Sequence, residues 1–138
     1  MDVHSKYTRS YNMSKVKSRA TKPEETVRKF LFSKGLRYRK NVKKLPGCPD
    51  IVLGRFRCVI FVNGCFWHVH ENCKKFSWPK SNKDFWKAKL KSNQERDIKN
   101  IQSLKNENWR VIVVWECELK KATKEEKLCQ LFNEITGW

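Results

Sequence analysis

The stretch that most constrains this chain runs from Arg57 to Cys73. It opens on Cys58-Val59-Ile60-Phe61-Val62, an apolar, β-branched run bounded by Asn63-Gly64, which reads as a buried strand. Directly beyond it come Cys65-Phe66-Trp67-His68-Val69-His70-Glu71-Asn72-Cys73, carrying two of the six cysteines and two of the three histidines. Thiol and imidazole are metal ligands, and imidazole also exchanges a proton near neutral pH. Phe66 and Trp67 are adjacent in a loop and cannot both face one core. Ligands, a proton acceptor and flat apolar rings at the end of a core strand make this stretch the expected active centre.

Cys65-x4-His70-x2-Cys73 offers three ligands in one loop, and Cys117, at the end of the next apolar run, could complete a closed tetrahedral set. Spacing leaves open which of His68 and His70 belongs to it. Cys48, Cys58 and Cys129 fall in turn, strand and helix positions, where core filling or incidental exposure is expected. No signal-peptide pattern opens the chain, so a cytoplasmic protein with reduced thiols is expected, and its cysteines read as ligands or core fillers rather than disulfides.

With 138 residues and 39% hydrophobic content, a single domain over residues 1–138 with one core flanked by helices is the simplest reading. Lys and Arg number 31 against 14 Asp and Glu, a formal net charge of +17 that points to a polyanion, most commonly nucleic acid. A merely soluble basic protein is the bland rival. A membrane is the weaker one, since no apolar run nears the roughly 18 residues a span needs.

In chain order, Met1 to Lys22 is a basic segment in which Thr8 could cap a short helix carrying Met13 and Val16. Pro23-Glu24-Glu25 opens a helix to Lys34, its acids at the positive dipole end and Gly35 behind it as a cap. Leu36 to Lys40 alternates like a half-buried strand. Leu45-Pro46-Gly47-Cys48-Pro49 is a turn that delivers Asp50 to the mouth of strand Ile51-Val52-Leu53. An acid held there by a rigid proline is placed to hold a divalent ion; it is equally an ordinary turn residue. Asn82 is the expected cap of a long helix, Lys83 to Asn106, with Phe85, Leu90, Ile98, Ile101 and Leu104 near one stripe. Lys83, Lys87, Lys91 and Lys99 occupy its other face and suit phosphates. Trp109 to Trp115 reads as a central buried strand, and Thr123-x-x-Glu126 as the capping box of a last helix. The pattern is an α/β layer fold with a mixed sheet.

Several of these stretches together resemble the very short patch repair endonucleases of bacteria. They are Leu45-Pro46-Gly47-Cys48-Pro49-Asp50, Val59 through His68, Asn82-x2-Phe85-Trp86, Asn93-x2-Arg96-Asp97 and Val114-Trp115-Glu116-Cys117, in order, within a match from Thr8 to about Glu118. The resemblance implies a restriction-endonuclease-like core, a mixed central β-sheet flanked by helices, with a structural zinc site. It implies a Mg²⁺-dependent enzyme that nicks one strand of double-stranded DNA 5′ of the mispaired T in the T·G mismatches left by 5-methylcytosine deamination. On this resemblance Asp50 is the carboxylate shared by the magnesium ions and Glu24 a helix-borne acid near them. Related nucleases place a second acid and a lysine on the next strand. Here Phe61, Val62 and Asn63 stand there, and Val62 offers its backbone carbonyl. His68 matches the catalytic histidine, which makes His70 the zinc ligand with Cys65, Cys73 and Cys117. Asn63 falls where some members carry a second histidine. Phe66, Trp67 and Trp86 resemble wedges that enter the base stack, although core packing is the ordinary use of such a tryptophan. Lys89 and Asn93 match mismatch-reading positions, and Met13 belongs to a DNA-contacting segment over residues 1–22. A monomer is implied, with room for contacts to other repair proteins.

Two other readings stand beside this one. A non-catalytic zinc DNA-binding module accounts for charge and ligands but leaves Asp50 and His68 idle. A restriction-type nuclease cutting both strands would carry the acid and lysine that are missing here.

Overall fold

The computed structural model describes residues 22–71, 73–74 and 76–137. The basic segment ahead of them, with Thr8, Met13 and Val16, lies outside the described residues. Helix α1 (Lys22–Ser33) begins at the proline and acids that predict it, and buries Val27 and Leu31. It ends where Gly35 takes φ +83°. The Gly35 N–H donates to the Phe32 carbonyl at 3.0 Å and the Leu36 N–H to the Leu31 carbonyl at 3.1 Å, closing the two-bond left-handed cap. That cap shortens the expected strand. The Leu36 amide is committed to the helix end, and only β1 (Arg39–Lys40) pairs with its neighbour.

Among the described residues, β1, β2 (Ile51–Leu53), β3 (Cys58–Asn63) and β4 (Arg110–Trp115) form one mixed sheet in the order β1-β2-β3-β4. β1, β2 and β3 run antiparallel in turn; β3 and β4 run parallel, from Cys58 opposite Arg110 to Asn63 opposite Trp115. A parallel pair needs a long crossover, which α2 (Lys83–Asn106) provides. Strand alternation then sorts the core into two layers. Ile51, Leu53, Ile60 and Val114 face α1 and the last helix, α3 (Lys124–Thr136), where Leu128, Leu131 and Ile135 complete the cluster. Val52 and Val59 face Leu104 of α2, with Phe61, Trp109 and Val111 packed around them.

Four local expectations need correction. β4 is an edge strand of this sheet, not a central one; it reads as uniformly apolar because Ile112 and Val114 pack on one face and Val111 on the other. Asn82 makes no capping hydrogen bond, because its left-handed backbone (φ 53°) does not fold the side chain over the first turn. Phe85 and Ile98 leave the expected stripe, being 60% and 69% exposed, and α2 buries Leu90, Asn93 and Leu104 instead. Thr123 donates its hydroxyl to the Glu118 carbonyl at 3.2 Å rather than capping α3. The carboxylate-to-amide bond forms earlier, from the Trp115 N–H to Glu118 Oε1 at 2.8 Å.

Arg110 ties the layers together. Its guanidinium donates to the carbonyls of Phe56 (3.0 Å), Glu134 (3.0 Å) and Ile135 (2.7 Å), placing a cation at the C-terminal end of α3. Arg110→Leu should lower unfolding free energy by about 1–3 kcal/mol, read from urea midpoints, because the carbonyls it serves lose a charged donor.

Candidate active site and metal centre

The loop between β1 and β2 aims Asp50. Gly47 takes φ +76°, and a Cβ there would stand 3.1 Å from the Asn100 side chain, so the turn lies tightly against α2. Backbone bonds from Asn41 to the Asp50 carbonyl (3.1 Å) and from Val42 to that of Pro49 (3.3 Å) extend the hairpin. Asp50 Oδ2 accepts the Val62 N–H at 2.7 Å, across the end of β3. Burial pushes the Asp50 carboxyl up to about 6, with Glu24 adding to the rise, against the lowering effect of the Val62 amide and of His68 and Arg28. Glu24 is itself buried on α1 and paired with Arg28 at 2.9 Å. Asp50, Glu24, Val62 and His68 all line one cleft of about 1210 Å³ between the sheet end, the β1–β2 loop and α2.

After β3 the backbone coils, with bonds from His68 N to Gly64 O (3.3 Å) and from His70 N to Cys65 O (2.9 Å), and Val69 at φ 50°. This coil turns the two histidines to different partners. His68 Nδ1 lies 2.5 Å from Asp97 Oδ2 of α2. A carboxylate accepts, so Nδ1–H is the donor of this pair, and in the neutral ring Nε2 is then the acceptor nitrogen. His70 Nδ1 instead lies 3.4 Å from Cys117 Sγ, and the ligand atoms of Cys65, His70, Cys73 and Cys117 all fall within 4.8 Å of one another. This cluster could hold a metal ion. Burial raises the Cys65 and Cys117 thiols above their ordinary range; Cys73 adds to the rise at both, while the Cys65 hydrogen bond lowers Cys117. A bound cation would favour their thiolate forms, as thiol ligands of a metal require. Cys48, Cys58 and Cys129 stand outside it, half-buried, buried and exposed respectively.

The aromatic residues gather on one side of the cleft. The Phe66 ring lies 5.1 Å from Trp67 and 5.5 Å from Trp86, both edge to face, and Trp67 lies 5.9 Å from Trp86. All three are half-buried, so they belong to neither hydrophobic cluster of the core. Asn93 is buried, and its amide donates to the Trp67 carbonyl at 3.0 Å; Lys89, one turn earlier, is half-buried. The carboxylate of Asp97, the Asn93–Trp67 bond and the bond from the Cys65 N–H to Glu116 Oε1 (3.0 Å) have no separate signal in the residue pattern. Asp97 follows Asn93 by four, and that helical spacing, within the Asn93-x2-Arg96-Asp97 stretch, is the hint the sequence offers.

A buried and a half-buried carboxylate beside a carboxylate-held imidazole share one cleft with aromatic rings, an arrangement that could serve hydrolysis. Comparison with known proteins gives the family. The family model described as DNA mismatch endonuclease Vsr matches residues 1–75. The chain is 53% identical over 135 residues to the type II nicking enzyme V.NmeAIP of Neisseria meningitidis serogroup A, covering 97% of this chain and 96% of the relative. It is 42% identical over 135 residues to the DNA mismatch endonuclease Vsr of Escherichia coli K12, covering 96% and 86%. A third relative, the type II nicking enzyme V.XorIIP of Xanthomonas oryzae, is 49% identical over 111 residues, covering 80% and 81%. The chain belongs to the Vsr family of DNA mismatch endonucleases. Its coarse activity is therefore that of a nuclease acting on DNA. No helix among the described residues is long and apolar enough to cross a membrane.

Proposed function

We propose that this chain nicks one strand of duplex DNA on the 5′ side of the mispaired thymine in a T·G pair, using Mg²⁺ at Asp50 and His68 as the base. The observation that carries the reading is the shared cleft, which Asp50 and the His68–Asp97 pair line together with Phe66 and Trp67. The sheet end that presents Asp50 and Val62 suits a restriction-endonuclease-like core.

The donor chemistry fits the proposed metals. Asp50 and Glu24, with the Val62 carbonyl, are hard oxygen donors, and Mg²⁺ is commonly held by one or two carboxylates plus water and substrate phosphate. Three thiols and an imidazole are a closed zinc set. A tetrahedron with metal–sulfur distances near 2.3 Å separates ligand atoms by roughly 3.8 Å, compatible with the observed cluster. Bound Mg²⁺ would supply charge stabilisation to the attacking and leaving oxygens of the phosphodiester. The protein's own residues do the rest. His68 Nε2 takes the proton of the attacking water, while Asp97 holds the ring in the tautomer that leaves Nε2 basic. Arg96, exposed on the cleft wall, supplies a forked donor for a phosphate.

Phe66, Trp67 and Trp86 enter the base stack, and unstacking is least costly at a weakened pair, so wedging itself favours mismatched DNA. Lys89 contacts the displaced bases. Asn93 holds the Trp67 backbone in place and reads the mismatch from there. Met13 contacts DNA from the basic segment.

Labelled T·G and T·A duplexes in Mg²⁺ test the reading: one nick 5′ of the mispaired T is expected. Equal cutting of both duplexes, or a double-strand break, would defeat it. The pH profile gives a second check. Only the ionised Asp50 carboxylate binds a cation, and burial raises that carboxyl to about 6 in the metal-free chain, so the Mg²⁺ concentration needed for half-maximal nicking should rise as pH drops through about 6. A Mg²⁺ requirement that stays constant from neutral pH down to about 4.5, well below that value, would remove Asp50 from the metal site.

A further inference from the structure

The last residue of β4, Trp115, touches both histidines. Its backbone is fixed twice, by pairing opposite Asn63 at the end of β3 and by the bond from its N–H to Glu118 Oε1 at 2.8 Å. Strand alternation puts its side chain on the α2 face, the face of Val111, where both histidines are found. The His70 ring lies flat on the indole, with centroids 4.0 Å apart and planes 3° from parallel. The His68 ring meets the same indole at an angle of 72°, with centroids 6.5 Å apart. Trp115 is half-buried and joins neither hydrophobic cluster, so general core packing does not account for it.

We propose that Trp115 is a positioning residue that couples the metal centre to the orientation of His68. A parallel stack lets an imidazole slide or turn only within its own plane, and His70 Nδ1 is held 3.4 Å from Cys117 Sγ. The indole therefore holds His70 ready for the metal, and a metal that fixes His70 in turn fixes the indole. His68 is confined between this indole and the Asp97 carboxylate, 2.5 Å from Nδ1. The same short segment sets the neighbouring backbone, since Glu116 holds the Cys65 N–H and Cys117 is itself in the ligand cluster. One strand end thus serves the metal, the loop and the base together. The coupling rests on the reading of His68 as the base, and its test needs a measurement that does not depend on cleavage.

The test compares the zinc-loaded full chain with its Trp115→Leu and Trp115→Phe variants. Elemental analysis should find the same zinc content in all three, because every ligand is retained. In NMR spectra the His70 ring protons should be shifted upfield in the native chain by the indole ring current. That shift should shrink with Phe and vanish with Leu, and the His68 ring signals should move or broaden in the Leu variant. In nicking of the T·G duplex, Trp115→Leu should lower kcat by roughly 10²-fold with KM unchanged, the expected effect of a base misplaced by about 1 Å. Trp115→Phe should recover most of it. Unmoved His68 signals in the Leu variant, or a fall in kcat no larger than its fall in zinc content, would overturn the proposal. If the native chain fails to nick T·G duplex, the proposed function falls, while the ring-current comparison still decides the role of Trp115.

Discussion

Asp50→Asn should abolish strand cleavage and, at the same time, make the metal-free protein more stable. The first effect follows from losing the carboxylate proposed to hold the cation. Several kcal/mol of charge stabilisation goes with it, on the order of a 10³-fold fall in kcat. The second follows from burial, which moves the carboxyl from an ordinary 3.8 to about 6. A carboxyl raised in the folded state contributes stability in full below its unfolded value and loses it as pH rises through the folded one. At pH 7 the native chain therefore carries an ill-solvated charge that the amide lacks, worth about 2–3 kcal/mol. The amide oxygen can still accept the Val62 N–H. Thermal melts of metal-free protein should show the variant melting higher at pH 7 and the gap closing toward pH 4. Added Mg²⁺ should raise the melting temperature of the native chain and leave Asp50→Asn unmoved. A variant that melts lower at pH 7 would contradict the electrostatic account, and one that still cuts would contradict the chemical one.

If the thiol cluster holds the proposed zinc, removing it should have the largest effect on stability. Binding to the folded chain alone adds about 4 kcal/mol at a free concentration a thousand times the dissociation constant, and chelation reverses that gain. A strong chelator should therefore lower Tm by about 10 °C or more. Cys117→Ser should lower it similarly and release the ion, since Cys117 links the end of β4 to the loop that follows β3. Cys129→Ser is the control; that thiol is exposed and outside the cluster, and neither Tm nor metal content should change. Equal Tm with and without chelator would mean that the cluster holds no structural metal.

The parts of this molecule that were legible in the sequence are those set by neighbours along the chain. Strand β2 is three apolar residues between a proline turn and a glycine, and α2 runs from Lys83 to Asn106 as its polar spacing suggests. Gly35 closes α1 because only a residue without a Cβ adopts that backbone cheaply. The ligand loop was legible too, since thiol and imidazole spacing survives whatever the fold does around it. Long-range partners were not. Thr123 and Glu126 have the spacing of a capping box, yet the Thr123 hydroxyl turns to Glu118, which already reaches back to Trp115. His68 and His70 are indistinguishable until the coil after β3 turns one to Asp97 and the other to Cys117. β4 looks central because both its faces are covered, and composition reports cover on faces, not neighbours along an edge.

The aromatic group beside the cleft has one more consequence. Phe66, Trp67 and Trp86 contact one another, and Phe66 also meets Phe76 at 6.0 Å. If these rings enter DNA as proposed, they must first leave these contacts, each worth about 0.5–1.5 kcal/mol beyond the area it buries. The protein is thus its own competing ligand, and the competition sets a threshold. A well-stacked base step does not repay both its own opening and the separation of the rings, whereas a loosened step needs to repay little more than the latter. Selectivity would then reside partly in how well the rings pack when no DNA is present, and a substitution that loosens them should make the enzyme less discriminating before it makes it slower.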